Sequence, residues 1–216
     1  MSGYQLTENH YLLPSPAGAF HASSHQGKGP IRTLLRALLR QETSPILTRH
    51  ALENWTGLTG DDALETLFRA QELGWVEGLE TARSSQPGAL EEILPALLHP
   101  LSSNGKALLA DSHGFYITAA GFPHEASVEL SALSADIASL DTRHQALTHN
   151  NLGLTTSAWS LVDAAGNSQL GFWPLYIDVY RFVLVLQGVP QLNQPAFTSL
   201  IWALSTRYDD KHHDNG

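Results

Sequence analysis

Eleven histidines are the residues with the most chemistry to offer, and their spacing decides how much of it is usable. A zinc-protease helix needs His at i and i+4 with Glu after the first, so that both imidazoles share one face. His124-Glu125 opens such a string, but its fifth position is Val128. His144 and His149 are five apart, which puts them on different faces of a helix. His212-His213 with Asp209, Asp210 and Asp214 is a tail cluster suited at most to weak binding of a divalent ion. Cysteine is absent, which removes thiol nucleophiles, thiolate zinc, iron–sulfur clusters and redox switching. The strings G-x-S-x-G, G-x-x-x-x-G-K-[ST] and G-x-G-x-x-G are also missing, so the hydrolase-elbow, nucleotide-loop and dinucleotide readings have no motif behind them. Asp111, ahead of Ser112-His113-Gly114, is explained as a turn residue that bonds the backbone. No catalytic residue, cofactor or metal is expected, and the chain reads as non-enzymatic.

What remains are groups suited to recognition. Arg32, Arg36 and Arg40 recur every four residues and form one basic ridge on a helix, either a site for phosphate or an acidic partner, or a solvated face. Trp159 and Trp173 are candidate contact aromatics on strands, with a core role as the alternative.

The elements that position these residues follow from hydropathy spacing. Residues 1–29 carry Pro14, Pro16, Gly18, Gly27 and Gly29 without a sustained period and read as a flexible arm; within it Tyr11-Leu12-Leu13 is a short apolar cluster that packs on the domain surface or, alternatively, docks a partner. From Pro30, Ile31, Leu34, Leu35, Leu38 and Leu39 mark one helical face. A short helix is expected over 48–55. Another opens at Thr59, where Asp62 can reach back in a capping box, and closes at Gly74. Residues 75–79 are β-prone. Three compact helices leading into a strand resemble a winged-helix domain over 30–80, and 63–76 looks like its third helix entering the wing. Residues 81–88, rich in Ser and ending in Pro87-Gly88, read as a linker.

Beyond the linker, 89–98 reads as a helix interrupted by Pro95. An apolar strand over 106–110, the turn Asp111-Ser112-His113-Gly114 and a strand over 115–119 make a hairpin. A long helix rich in Ala and Ser runs from Glu125 to about Leu147, its small residues allowing close approach of another surface. Strands follow over 157–162, 169–176 and 181–186, the last a continuous apolar run suited to a central strand. A final helix spans about 195–208, and 209–216 reads as a disordered tail.

This order resembles the roadblock/dynein light-chain family. The stretch from Lys106 to Gly121 is similar to that family's opening hairpin, an apolar strand running into Asp-x-x-Gly and then a strand ending in small residues. Glu129 to Ile137 resembles its alanine-rich second helix. The likeness covers about 89–208. Pro95 and the long loop over 150–157 are departures, and the winged-helix-like front half is an addition. The fold class expected is α+β, a winged-helix-like helical domain followed by a five-stranded antiparallel sheet with helices on both faces. The resemblance implies a homodimer through the second helix and the edge strand over 157–162, with Ala132, Ala135 and Trp159 in the interface. It also implies scaffolding or regulation of a Ras-like small GTPase, or a place in a motility or secretion machine. Arg32, Arg36, Arg40 and Trp173 are the candidate partner-binding residues.

Composition bounds these readings. The chain has 216 residues, 43% of them hydrophobic and 15% charged, enough to bury ~70% of its unfolded surface without staples. Its net charge of −9 argues against broad capture of nucleic acid or anionic lipid. The alternative of a DNA-binding regulator meets Asp61, Asp62 and Glu65 at the start of the third helix, where base-reading residues would sit and where carboxylates repel phosphate. No secretory leader or membrane span is apparent in the sequence, and a cytoplasmic location is expected.

Overall fold

A computed structural model describes residues 4–7 and 9–208. The chain divides into two units, one comprising the sequence up to Pro87 together with the segment from Phe197 onward, the other Gly88–Ala196.

The first unit holds β1 (Tyr11–Pro14), α1 (Pro16–Ser23), α2 (Pro30–Leu39), α3 (Arg49–Thr56), α4 (Gly60–Glu72) and β2 (Val76–Leu79). The α2 stripe folds as its spacing requires, with Leu34, Leu35, Leu38 and Leu39 all buried. Residues expected to be a flexible arm are instead built into the fold. β1 pairs antiparallel with β2, from Tyr11↔Leu79 to Pro14↔Val76, and the Leu12 amide donates to the Pro45 carbonyl at 3.0 Å. Ser15 joins the end of β1 to the end of α4. Its hydroxyl donates to the Gly74 carbonyl at 2.6 Å and accepts from the Gly18 amide at 3.2 Å, and its amide donates to the Trp75 carbonyl. The physical reason is that Leu12 and Leu13 bury more surface than a free arm allows, while the paired backbone satisfies its donors.

Three further local expectations change. The α4 N-terminus is not closed by a Thr59–Asp62 box, because Thr59 makes no side-chain cap and the Gly60 amide donates to Glu53 Oε1 of α3 at 2.9 Å. The strand expected to lead from the third helix into a wing pairs instead with β1, and the following chain folds back so that the Ser44 amide donates to the Arg83 carbonyl and the Ser85 amide to the Glu42 carbonyl. Residues 83–85, read as linker, are therefore tied to the loop between α2 and α3 by backbone bonds.

The second unit holds α5 (Leu90–Leu98), β3 (Ala107–Asp111), β4 (Tyr116–Ala120), α6 (His124–Gln145), β5 (Trp159–Val162), β6 (Ser168–Ile177) and β7 (Tyr180–Gln187). A 3-10 turn over His99–Leu101 follows α5, and a π-helical turn over Ala146–Asn151 follows α6. All strand pairs are antiparallel and the order is β4-β3-β7-β6-β5. β7 lies in the middle, and Phe182 to Leu186 are buried on both faces, as a continuous apolar run demands. On one face Leu108, Ala110, Val183, Val185 and Phe172 meet Ala138, Leu130 and Ile137 of α6. On the other face Leu109 and Leu184 are fully buried, and α5 packs against β3 and β4. This is the mixed architecture expected, a five-stranded antiparallel sheet with helices, in addition to a helical N-terminal part.

The last helix, α7 (Pro195–Arg207), is grouped from Phe197 onward with the first unit rather than with the sheet domain expected to extend to residue 208. Its Trp202 Nε1 donates to the Gln41 carbonyl at 2.6 Å, and the Phe197 and Phe20 rings lie 6.2 Å apart. Phe197, Leu200, Ile201 and Leu204 are buried, so this helix brings an apolar face too large to leave in water. Residues 209–216, read as a tail, lie outside the described residues. Among the described residues no helix is long and apolar enough to cross a membrane.

Gly18 tests the docking of α1. A Cβ there would stand 2.0 Å from the Trp75 carbonyl oxygen, a backbone atom that cannot rotate away. Gly18→Ala is expected to destabilise by about 1–3 kcal/mol, the usual cost of overpacking, whereas Gly29→Ala, with open space around it, should change urea midpoints little.

Candidate interaction surface

The basic ridge serves its own chain. Arg32 Nε donates to the His21 carbonyl at 2.9 Å and Nη1 to the Gly27 carbonyl at 3.5 Å. Arg36 Nε donates to the Ala22 carbonyl at 2.9 Å and Nη2 to the His25 carbonyl. The carbonyls at a helix C-terminus lack intrahelical partners and carry partial negative charge, which is why two guanidinium groups gather there. Arg32 and Arg36 thus hold α1 against α2. Arg40 sits half-buried at the α2 C-cap. The His21 ring lies within this cluster, stacked on Trp75 with centroids 4.0 Å apart. Burial, followed by the nearby charges of Arg32, Arg36 and His25, lowers its pKa from 6.5 to about 4.

The residues expected in a dimer surface are split between two flanks of α6. Gly114, at φ +86°, brings the β3–β4 turn against the helix, where a Cβ would come within 3.2 Å of Ala135 Cβ and 3.3 Å of Ala132 Cα. Asp111 shapes that turn by accepting from the His113 and Phe115 amides at 2.8 and 3.0 Å. Ala132 and Ala135 therefore line a shallow groove of about 510 Å³ with Gly114, Phe115 and Val128. Trp159 lies toward the opposite flank, on edge strand β5, with Nε1 donating to Asp141 Oδ1 at 3.1 Å. The small residues of α6 also divide: Ser127, Ser131, Ser134 and Ala138 are buried toward the sheet. The three serine hydroxyls donate back to helix carbonyls. That close approach is made within the chain, and sequence spacing alone did not say which partner it served.

β5 is an edge and all four of its residues are exposed. Trp159, Leu161 and Val162 are 37%, 63% and 58% accessible. One side of the strand pairs with β6, from Trp159↔Phe172 to Leu161↔Leu170. The pleat places Trp159 and Leu161 on the same face as Phe172, the face that α6 covers. The outer surface of α6 adds exposed Leu133 and Leu140. Within the strand there is no charge and no proline to discourage pairing with another chain, and the irregularity at Leu161/Val162 lies at its end.

Trp173 is half-buried on the other face of the sheet, its indole lying over Gly171 so closely that a Cβ there would meet the ring at 2.2 Å. It packs as part of the sheet domain rather than as a protruding contact. Behind Trp159 sits a small polar group. Asp141 is 7% exposed. Burial pushes the Tyr176 phenol up, the Arg181 charge offsets this, and Asp141 adds to it. Arg181 Nε is buried without a hydrogen-bond partner.

The histidines are dispersed. His124 Nδ1 bonds the Tyr116 hydroxyl at 2.7 Å, while His149 bonds Thr148 and Ser157 hydroxyls at 3.0 and 3.3 Å. Among the described residues no three His, Asp or Glu side chains gather as a metal site, and the pair at His212-His213 falls outside them.

No protein-family model matches the sequence, and no curated protein matches it. Solved structures that align with it include two. One is a Roadblock/LC7 domain from Streptomyces avermitilis, at 11% identity and TM-score 0.36, covering 59% of this chain and all of that one. The other is Myxococcus xanthus MglB, at 16% identity and TM-score 0.32, covering 57% of this chain and 96% of that one.

Two tests follow from these contacts. Below pH 6.5 the unfolded chain takes up a proton at residue 21 that the folded chain refuses until about pH 4. Stability from this group is therefore complete above pH 6.5 and falls as pH drops from 6.5 toward 4. His21→Phe, which keeps the stack on Trp75, should flatten that part of a melting-temperature profile, and an NMR titration of His21 should find its midpoint near 4. Separately, Asp141→Ala should cost about 1–3 kcal/mol by removing a charged acceptor, with Asp141→Asn retaining most of the stability in denaturant titrations.

Proposed function

We propose that the chain is a non-enzymatic interaction platform that self-associates through the β5 edge and the adjoining outer face of α6. The observation that carries this reading is the uncharged edge strand Trp159–Val162, open on the side away from β6, three of whose four side chains are large, apolar and exposed. A second copy pairing across β5 would continue the sheet and cover Trp159, Leu161 and Leu133 together. The partner class is a second protein, and the roadblock resemblance read in the sequence makes a Ras-like small GTPase, or a scaffolded assembly in which one works, the preferred candidate. The helical front part is read as protein-facing rather than DNA-facing. On α4, Asp61 and Asp62 stand exposed in the first turn, and Arg69 is paired with Glu65.

Leu161→Lys tests the edge directly. Light scattering of the unaltered chain at tens of micromolar should give twice the monomer mass, and the variant should give the monomer mass with an unchanged circular dichroism spectrum. A monomer in both samples overturns the edge reading. Nucleotide-dependent retention of purified Ras-like GTPases on the immobilised chain then tests the partner class, and equal retention with GDP and a GTP analogue points to a static scaffold.

A further inference from the structure

The segment Tyr4-Gln5-Leu6-Thr7 lies against α4 outside any helix or strand, with Tyr4 and Leu6 half-buried and Gln5 and Thr7 exposed. This alternation is that of an extended peptide presenting every second side chain to a surface. Beside the segment a groove of about 260 Å³ stays open, walled by residues 4–7 themselves and by Leu47, Leu64, Leu67, Phe68 and Gln71. Tyr4 meets Phe68 with ring centroids 5.3 Å apart, yet Phe68 stays 43% exposed, so the segment covers the groove incompletely. Phe68 shares a helical ridge with Asp61, Glu65 and Glu72, at spacings of four, three and four residues. Asp61 and Glu72 are exposed, and the Glu65 charge is shared with Arg69.

We propose that this groove is a docking site for an extended segment of a partner protein carrying an aromatic residue, a spacer and an aliphatic residue, with Lys or Arg at its flanks. Residues 4–7 act as the chain's own exchangeable occupant. The apolar pair fills the positions of Tyr4 and Leu6, and the flanking cations meet the acidic ridge that the resident segment leaves uncompensated. A tethered occupant competes at roughly millimolar effective concentration, so a partner binds when it outcompetes this strap or when the strap is drawn away.

The test uses the full chain and a fluorescein-labelled peptide, Lys-Lys-Tyr-Gln-Leu-Thr-Lys-Lys, read by anisotropy. The variant carrying Tyr4→Ala and Leu6→Ala should bind it about tenfold or more tightly than the unaltered chain, as expected when a millimolar competitor is removed. Adding Phe68→Glu should abolish the gain, and a peptide with Ala for both Tyr and Leu should not bind. Glu flanks in place of Lys should weaken binding, and raised salt should erase that difference. Equal binding by the unaltered chain and the double variant, or binding indifferent to Phe68→Glu, overturns the proposal. Indifference to the flanks overturns the basic partner. If the double variant loses its native circular dichroism, Tyr4→Ala alone carries the comparison. The readout is independent of β5, so its failure and that of the dimer reading are distinguishable.

Discussion

The second unit depends on β7. It pairs along its length with β3 on one side and β6 on the other, and its apolar run is buried on both faces. Once that strand is central, the antiparallel order leaves β4 and β5 as the two edges. They are not alike. Along β4, α5 and the N-terminal part of α6 pack alongside, and Ala120 and Thr118 are buried. β5 is four residues long and wholly exposed, anchored by its pairing to β6 and by the indole bond of Trp159 to Asp141. An edge strand presents unpaired backbone groups, and natural sequences normally blunt such edges with charge or proline. Here neither lies within the strand, and the first charge is Asp163 in the following turn.

A different constraint organises the first unit. Its helices are short, and none of α1 to α4 exceeds 13 residues, so tertiary contacts rather than helix propensity must hold them. The chain supplies those contacts from distant segments. Ser15 ties β1 to Gly74, two arginines of α2 hold the end of α1, and α7 returns to bond Gln41 through Trp202. Arg32 and Arg36 of the basic ridge satisfy carbonyls of their own chain.

Much of the sheet domain, and α2 in the first unit, was legible because the signals are local. Gly114 after Asp111 specifies the turn, Val183 to Leu186 specify a buried strand, and Pro30 with the leucine stripe specifies α2. What escaped reading was long-range pairing. Tyr11-Leu12-Leu13 is a three-residue apolar cluster whether or not β2 waits 60 residues downstream, and nothing local marks Ser15 as a cap bonded to Gly74. The four-residue repeat of arginines was visible, but its partners are backbone carbonyls with no sequence signature. Likewise Ala132, Ala135 and Trp159 share a role in the resemblance, yet the turn at Gly114 places the two alanines beside β4 and leaves the tryptophan toward β5. The terminal helix follows the sheet domain in sequence, and only Phe197 and Trp202, through Phe20 and Gln41, show where its apolar face belongs.

Hydrogen exchange at the β5 amides, followed by mass spectrometry across a hundredfold range of protein concentration, examines the open edge most directly. Protection of residues 159–162 that grows with concentration, while β7 stays fully protected throughout, is the expected result. Exchange of those amides at the rate of the neighbouring turn at every concentration would contradict an interface on this strand.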